Sequence, residues 1–237
     1  MSLPILQTKL YAPRPPRPTN VVHRPRLTEQ LTAGLAGKVT LIAAPAGFGK
    51  STLLSEWLAA WTTQASLQPE AANAEHAYHP QVAWLTLDPD DNDPVRFLTY
   101  LIVDLQRFKA TVGETAMALL ASPGSLGGAP APKAILTLLI NDLSQLADEG
   151  SASDHPYILV LEDYHVITAQ PIHEALTYLI DHLPPCVHMI ITTRADPPLP
   201  LARWRAHTQL AEIRAHALRF TADEAALFLN DRMGLHL

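Results

Sequence analysis

The chain has 237 residues, and its 17 Lys and Arg against 23 Asp and Glu leave a formal charge of −6, which argues against nucleic acid as a direct partner. With 48% hydrophobic and 17% charged residues it can bury the core of one large α/β domain, alone or with a small appendage. The single cysteine, Cys186, excludes an internal disulfide framework and a Cys-rich zinc site, and no apolar run approaches the ~18 residues that cross a bilayer.

The N-terminus MSLPILQTKLY lacks the basic-then-apolar order of a secretory signal, so the expectation is a cytoplasmic protein without a membrane partner. Residues 1–24 read as an extended, Pro-rich arm whose PRPPRP segment serves as a rigid linker or a polyproline ligand. A helix follows at about 25–36, started by Pro25. VTLIAA (39–44) is a short apolar strand, and a helix runs from about 49 to 61. Polar, Ala-rich residues 62–80 read as a surface insertion. VAWLTL (82–87) is the second strand, and Asp93 caps a helix that has Pro94 at its first position and runs to about 109. A Gly/Pro loop at 121–132 precedes a helix at 132–147. YILVL (157–161), VHMIITT (187–193) and QLAEIR (209–214) complete the strands, with a helix at 171–182 between the first two. Apolar strands separated by helices predict a parallel sheet covered on both faces. Thr221 and Glu224 then form a capping box for a last helix, so residues 25–215 read as the domain and 216–237 as the start of a helical subdomain.

Chemistry concentrates in LIAAPAGFGKST (41–52). A buried strand runs into Ala46, Gly47, Phe48, Gly49, Lys50, Ser51 and Thr52, and a helix starts on the last of these. This is the phosphate-loop pattern G-x-x-x-x-G-K-[ST], with Ala44 in place of its first glycine. A backbone wrapped around phosphate oxygens needs small residues at its tight points, and the helix N-terminus adds free N–H donors. Lys50 would reach the β- and γ-phosphates, and the Ser51 hydroxyl would ligate Mg²⁺. A second strand must bring a carboxylate to that ion, and YILVLED ends in Glu162 and Asp163. Glu162 takes the metal role and Asp163 the role of base, although aspartate usually stands first. With a sheet order of 5-1-4-3-2, the strand ending in Thr192, Thr193 and Arg194 lies between the loop strand and the acidic one, and Arg194 can tell triphosphate from diphosphate.

Other signals are weaker. Asp88, Asp90 and Asn92 have the opening spacing of a calcium loop, but Asp93 and Thr99 occupy the positions that need Gly and Glu, so these acids read as caps. His165 suits packing or catalysis. The arginines from Arg194 to Arg219 read as a solvated face. No N-K-x-D segment that would read guanine is present, which leaves adenine by elimination.

Taken together, TKLYAPRPP, APAGFGKSTL, AWLTLDPDDNDPVRFLTYL, LVLEDYHVI, IITTRADPPLPLARWRA and LRFTADEAALFL resemble the N-terminal part of the large ATP-dependent LuxR-family regulators, the MalT-like group of signal-transduction ATPases. The resemblance implies a three-layer P-loop NTPase fold. It implies that Arg24, Pro25 and Arg26 lie near adenine or ribose, that residues 49–52 hold phosphate and Mg²⁺, and that Arg194 is a sensor. It departs at Glu162-Asp163, where the group usually carries two aspartates. Such proteins hold ADP at rest, exchange it for ATP and then self-associate, and they read DNA through a separate C-terminal domain. The chain therefore reads as an ATP/ADP switch module, at most a weak ATPase, cut before its sensor and DNA-reading parts. A stand-alone P-loop ATPase or small-molecule kinase is the alternative. Ala44 and Glu162 keep open a third reading, an interaction domain that binds no nucleotide.

Overall fold

A computed structural model describes residues 4–15, 22–67, 81–122, 132–149 and 157–232. Five strands, β1 (Val39–Ala43), β2 (Val82–Thr86), β3 (Tyr157–Glu162), β4 (Val187–Thr193) and β5 (Leu210–Arg214), form one parallel sheet in the order β2-β3-β4-β1-β5. This is the predicted order.

The reason lies in the alternation along each strand, where both sets of side chains are apolar and both need cover. Ile42, Trp84, Val160 and Ile190 face one layer, α1 (Pro25–Gly34) and α2 (Lys50–Leu67), and meet Leu27, Leu31, Leu53 and Leu54 there. Leu41, Leu85, Leu161 and Ile191 face the other layer, α3 (Pro94–Leu105), α4 (Glu114–Ala121), α5 (Pro132–Glu149) and α6 (Gln170–His182). Each apolar side chain removed from water on either face contributes about 1.5–3 kcal/mol. The register pairs Ala43 with Thr193 and Thr86 with Glu162, so the carboxyl ends of the strands share one edge of the sheet. Ligands of open parallel sheets bind at such an edge.

Capping follows the sequence. Asp93 Oδ1 accepts from the Val95 and Arg96 amides at 2.8 and 3.4 Å, and Asp88 caps the 3-10 turn Pro89–Asn92. Beyond β5 come α8 (Ala215–Leu218), α9 (Ala222–Leu227) and a π turn, Phe228–Arg232. Thr221 and Glu224 form the predicted box, with bonds of 3.2 and 2.9 Å.

Four features differ from expectation. The helix predicted to reach 109 ends at Leu105; Phe108 and Val112 are buried in turns, so their spacing imitates a continuing helix. Neither α4 nor α7 (Leu201–Ala206) shows in the sequence pattern, because each is short and fixed by tertiary partners. The Gly113 amide before α4 donates to Asp142, and Trp204 of α7 is fully buried. The arm is not simply extended: Gln7–Leu10 makes a 3-10 turn, and Leu10 enters the main core. Helix α2, predicted to end at about 61, runs on to Leu67, into the segment predicted as a surface insertion. The arginines read as a solvated face are exposed where Arg203 pairs with Asp181 and Arg205 with Glu212. Parts of three predicted segments, residues 16–18, 68–80 and 123–131, lie outside the described residues. No described helix is long and apolar enough to cross a membrane.

Candidate nucleotide site

The phosphate loop leaves β1 at the shared edge. Ala44 is buried among residues of the α1/α2 face, so its methyl fits where the pattern has glycine. Gly47 and Gly49 have φ of 82° and 74°, a left-handed conformation that other residues reach only with strain. These two turns coil the backbone before α2 begins at Lys50. The Lys50 ammonium donates to the carbonyls of Ala44 and Pro45 at 2.8 and 3.1 Å. Burial holds it below its ordinary pKa; Asp163 opposes that shift and Arg194 adds to it.

Beside the loop is a cleft of about 360 Å³, lined by Ala46, Gly47 and residues 49–52, with Asp163 and Arg194 completing it. Asp163 has a left-handed backbone, φ 59°, and its amide donates to Thr192 Oγ1 at 3.0 Å, which ties the end of β3 to β4. Glu162 is buried and meets Ser51 in the first turn of α2. Its Oε1 accepts a bond from the Ser51 hydroxyl, and its Oε2 accepts from Trp84 Nε1 at 3.1 Å and Thr86 Oγ1 at 2.9 Å. His165 Nδ1 is 3.6 Å from Asp163 Oδ1, too far for a hydrogen bond, and burial lowers its pKa. His165 does not line the cleft.

Gly47, Gly49 and Thr52 also border a second, contiguous cavity of about 430 Å³. Its apolar wall is Phe48, Leu218, Phe220 and Phe228, and Arg24 closes one side. Arg24 donates to the Leu218 carbonyl at 3.3 Å and lies 5.8 Å from the Phe220 ring centre. Burial lowers the Arg24 pKa and raises that of Glu56, and each group opposes the other's shift.

The structure thus brings Ala46, Gly47, Gly49, Lys50, Ser51, Thr52, Asp163 and Arg194 to one cleft, with Glu162 joined to it through Ser51. Phe48 and Arg24 stand in the neighbouring cavity, whereas Pro25 starts α1 exposed and does not line it. Ser51 and Glu162 offer two hard oxygen donors in contact, which suits Mg²⁺, an ion that takes one or two protein oxygens and completes its shell with phosphate and water. Among the described residues no three of His, Cys, Asp and Glu converge as a metal cage. Sequence reasoning missed Trp84, Thr86, Thr192, Phe220 and Phe228. Thr86 could have been found, since it ends the strand next to β3 in the predicted order. Phe220 and Phe228 carried no local signal.

The strand order, the glycine loop running into Lys50 and Ser51, and the acid at the end of β3 define a P-loop NTPase domain. Within that class the chain is similar to stretches of a protein kinase named PknK and of transcriptional regulators named MalT. It is 36% identical over 225 residues to the protein named serine/threonine-protein kinase PknK of Mycobacterium tuberculosis, an alignment covering 94% of this chain and 18% of that one. It is 35% identical over 224 residues to the HTH-type transcriptional regulator MalT of Yersinia enterocolitica (94% and 22%), and 34% over 220 residues to that of Cronobacter sakazakii (93% and 21%). The chain spans about a fifth of the length of these curated relatives. No protein-family model matches it. Among solved structures, C. elegans PCH-2 superposes with a TM-score of 0.40 at 11% identity, covering 82% of this chain and 44% of that one, a likeness too distant to bear on the fold.

Proposed function

We propose that this chain is the ATP/ADP-binding switch module of a larger MalT-like regulator. The observation that carries the reading is the adjacency of two spaces: a cleft bounded by Lys50, Ser51, Asp163 and Arg194 shares Gly47, Gly49 and Thr52 with an aromatic cavity bounded by Phe48, Phe220 and Arg24. The first suits a triphosphate and the second a purine. The loop amides and Lys50 bind the phosphates. Ser51 and Glu162 would hold Mg²⁺, which would offset phosphate charge. Asp163 orients a water for slow hydrolysis, and Arg194 bonds to the oxygens that ATP has and ADP lacks. Phe48, Phe220 and Arg24 line the space for adenine.

The same stretch occurs in relatives named as a transcriptional regulator and as a protein kinase, which favours a switch whose output is carried by other parts of each chain. Exchange of ADP for ATP then governs self-association. The charge of −6 argues that DNA is read by another part of such a protein.

The first experiment denatures freshly purified protein and identifies released nucleotide by chromatography. Close to one ADP per chain is expected. If none is released, titration with Mg-ATP decides, and absence of binding sinks the reading. Lys50→Ala should weaken ATP binding by at least roughly tenfold, the loss of a charge-assisted bond of about 1.5–3 kcal/mol, with the circular dichroism spectrum unchanged. Arg194→Ala should weaken ATP about tenfold and spare ADP. Equal losses for both nucleotides would remove the sensor role.

A further inference from the structure

Glu162 stands where a metal-positioning aspartate is expected, and its extra methylene gives the carboxylate more rotamers and a longer reach. A loose carboxylate cannot define where a metal shell sits, and fixing a glutamate side chain costs up to about 2 kcal/mol of rotamer freedom. Here β2 supplies the constraint. Thr86 is directly opposite Glu162 in the parallel register, and Trp84 is two residues earlier on the same face of the sheet. Trp84 is 1% exposed, clamped in the α1/α2-side core, so its indole N–H has a fixed position. That N–H lies 3.2 Å from Thr86 Oγ1 and 3.1 Å from Glu162 Oε2, and the Thr86 hydroxyl donates to the same Oε2 at 2.9 Å. Two donors on one strand therefore hold one carboxylate oxygen. The other oxygen is left to meet Ser51, the hydroxyl on the helix that follows the phosphate loop.

We propose that Trp84 and Thr86 are positioning residues that take up the extra length of Glu162 and leave only its Oε1 facing Ser51 and the Mg²⁺ that accompanies the nucleotide. This rests on the nucleotide reading above. It predicts that the pair acts on the metal dependence of binding, an effect that a role confined to satisfying a buried carboxylate would not produce. Partners one layer behind a metal ligand typically influence metal affinity roughly 10–100-fold.

The test measures ATP affinity in excess Mg²⁺ and in chelator and takes the ratio. In the wild-type chain Mg²⁺ should tighten binding. Thr86→Val and Trp84→Phe should each cut that enhancement by about tenfold or more, while Thr86→Ser, which keeps the hydroxyl, should retain it. In a Glu162→Asp background, adding Thr86→Val should leave the enhancement unchanged, because the shorter acid has already left the β2 donors. An enhancement that survives in folded Thr86→Val would overturn the proposal, and so would a wild-type chain whose ATP binding ignores Mg²⁺. If the wild type binds no nucleotide, the nucleotide reading fails and this proposal fails with it. Should Trp84→Phe not fold, Thr86→Val against Thr86→Ser decides alone, since valine keeps the shape of threonine without its hydroxyl and serine keeps the hydroxyl.

Discussion

His188 and Asp104 are buried ionisable residues outside the cleft, and they push stability in opposite directions. His188 lies on β4 with Nδ1 2.9 Å from the Gly37 carbonyl and Nε2 2.9 Å from Thr40 Oγ1. A carbonyl can only accept, so Nδ1 carries the proton and Nε2 accepts from the threonine hydroxyl. Burial lowers the His188 pKa from 6.5 to about 4. Its contribution is therefore present above about pH 6.5 and lost as pH falls through about 4. Asp104 on α3 is fully buried, with Arg107 Nε 3.5 Å away, and burial raises its pKa from 3.8 to about 7. It favours the fold below about pH 4, and that contribution is lost as pH rises through about 7. Between about pH 4 and 7 the two slopes oppose, so the wild type should show a shallow profile. Asp104→Asn should steepen the loss on acidification by up to roughly 3 kcal/mol, and His188→Gln should expose a loss toward neutral pH of up to roughly 4 kcal/mol. Urea midpoints across that range check both, and parallel profiles for wild type and variants would clear these residues of any part in it.

At the scale of elements, the N-terminal arm behaves as part of the domain. Lys9 is 6% exposed, with its ammonium on Asp91 and 3.0 Å from Asp88, and 4.5 Å over the Tyr100 ring. The Leu6 amide donates to the Tyr100 hydroxyl at 3.0 Å, and Arg107 stacks 4.8 Å over Tyr11. These contacts all fall on α3 and the turns at its two ends, beside the edge strand β2. Covering that edge also protects unpaired backbone groups from other chains. Leu10→Ala should lower stability by about 2–5 kcal/mol in urea denaturation, the range for emptying a buried leucine site. A loss below about 0.5 kcal/mol, the size of a surface substitution, would mean that the arm is only laid on the surface. Sequence reading missed this docking because Lys9 and Leu10 show no periodicity; their partners lie about 80 residues away, as the separation of 82 between Lys9 and Asp91 shows.

Across the whole molecule, two arginines hold the aromatic cavity, Arg24 through the Leu218 carbonyl and Arg26 through more bonds than any other side chain described there. Arg26 on α1 donates to the carbonyls of Ala217 and Arg219 at 2.5 and 2.9 Å and grips Glu224 through two bonds of 3.0 and 2.9 Å. It staples the segment after β5 to the first helix and so holds Leu218, Phe220 and Phe228 over the loop. Such forked pairs are geometrically specific to arginine, so lysine is a poor replacement. Arg26→Ala should raise amide hydrogen exchange across residues 215–228 while β1, β3 and β4 stay protected, and should weaken nucleotide binding without touching the phosphate loop. Unchanged exchange in that segment would show that the aromatic contacts hold it without help.

The sequence by itself determined the five strands, the phosphate loop and the acidic strand end. Each of these is a local pattern: apolar alternation buried on both faces, two glycines that permit left-handed turns, a lysine and hydroxyl opening a helix, and carboxylates placed where a strand runs out. Even the capping box at Thr221 and Glu224 is local, with its partners three residues apart. Tertiary structure alone decided what faces those groups. Glu162 meets Thr86 and Trp84 across separations of 76 and 78 residues, and Arg24 meets Leu218 across 194. Such partners are set by which strands lie side by side and by where the chain returns after its last strand. Periodicity records which face of an element is apolar, but not which distant side chain will be brought against it.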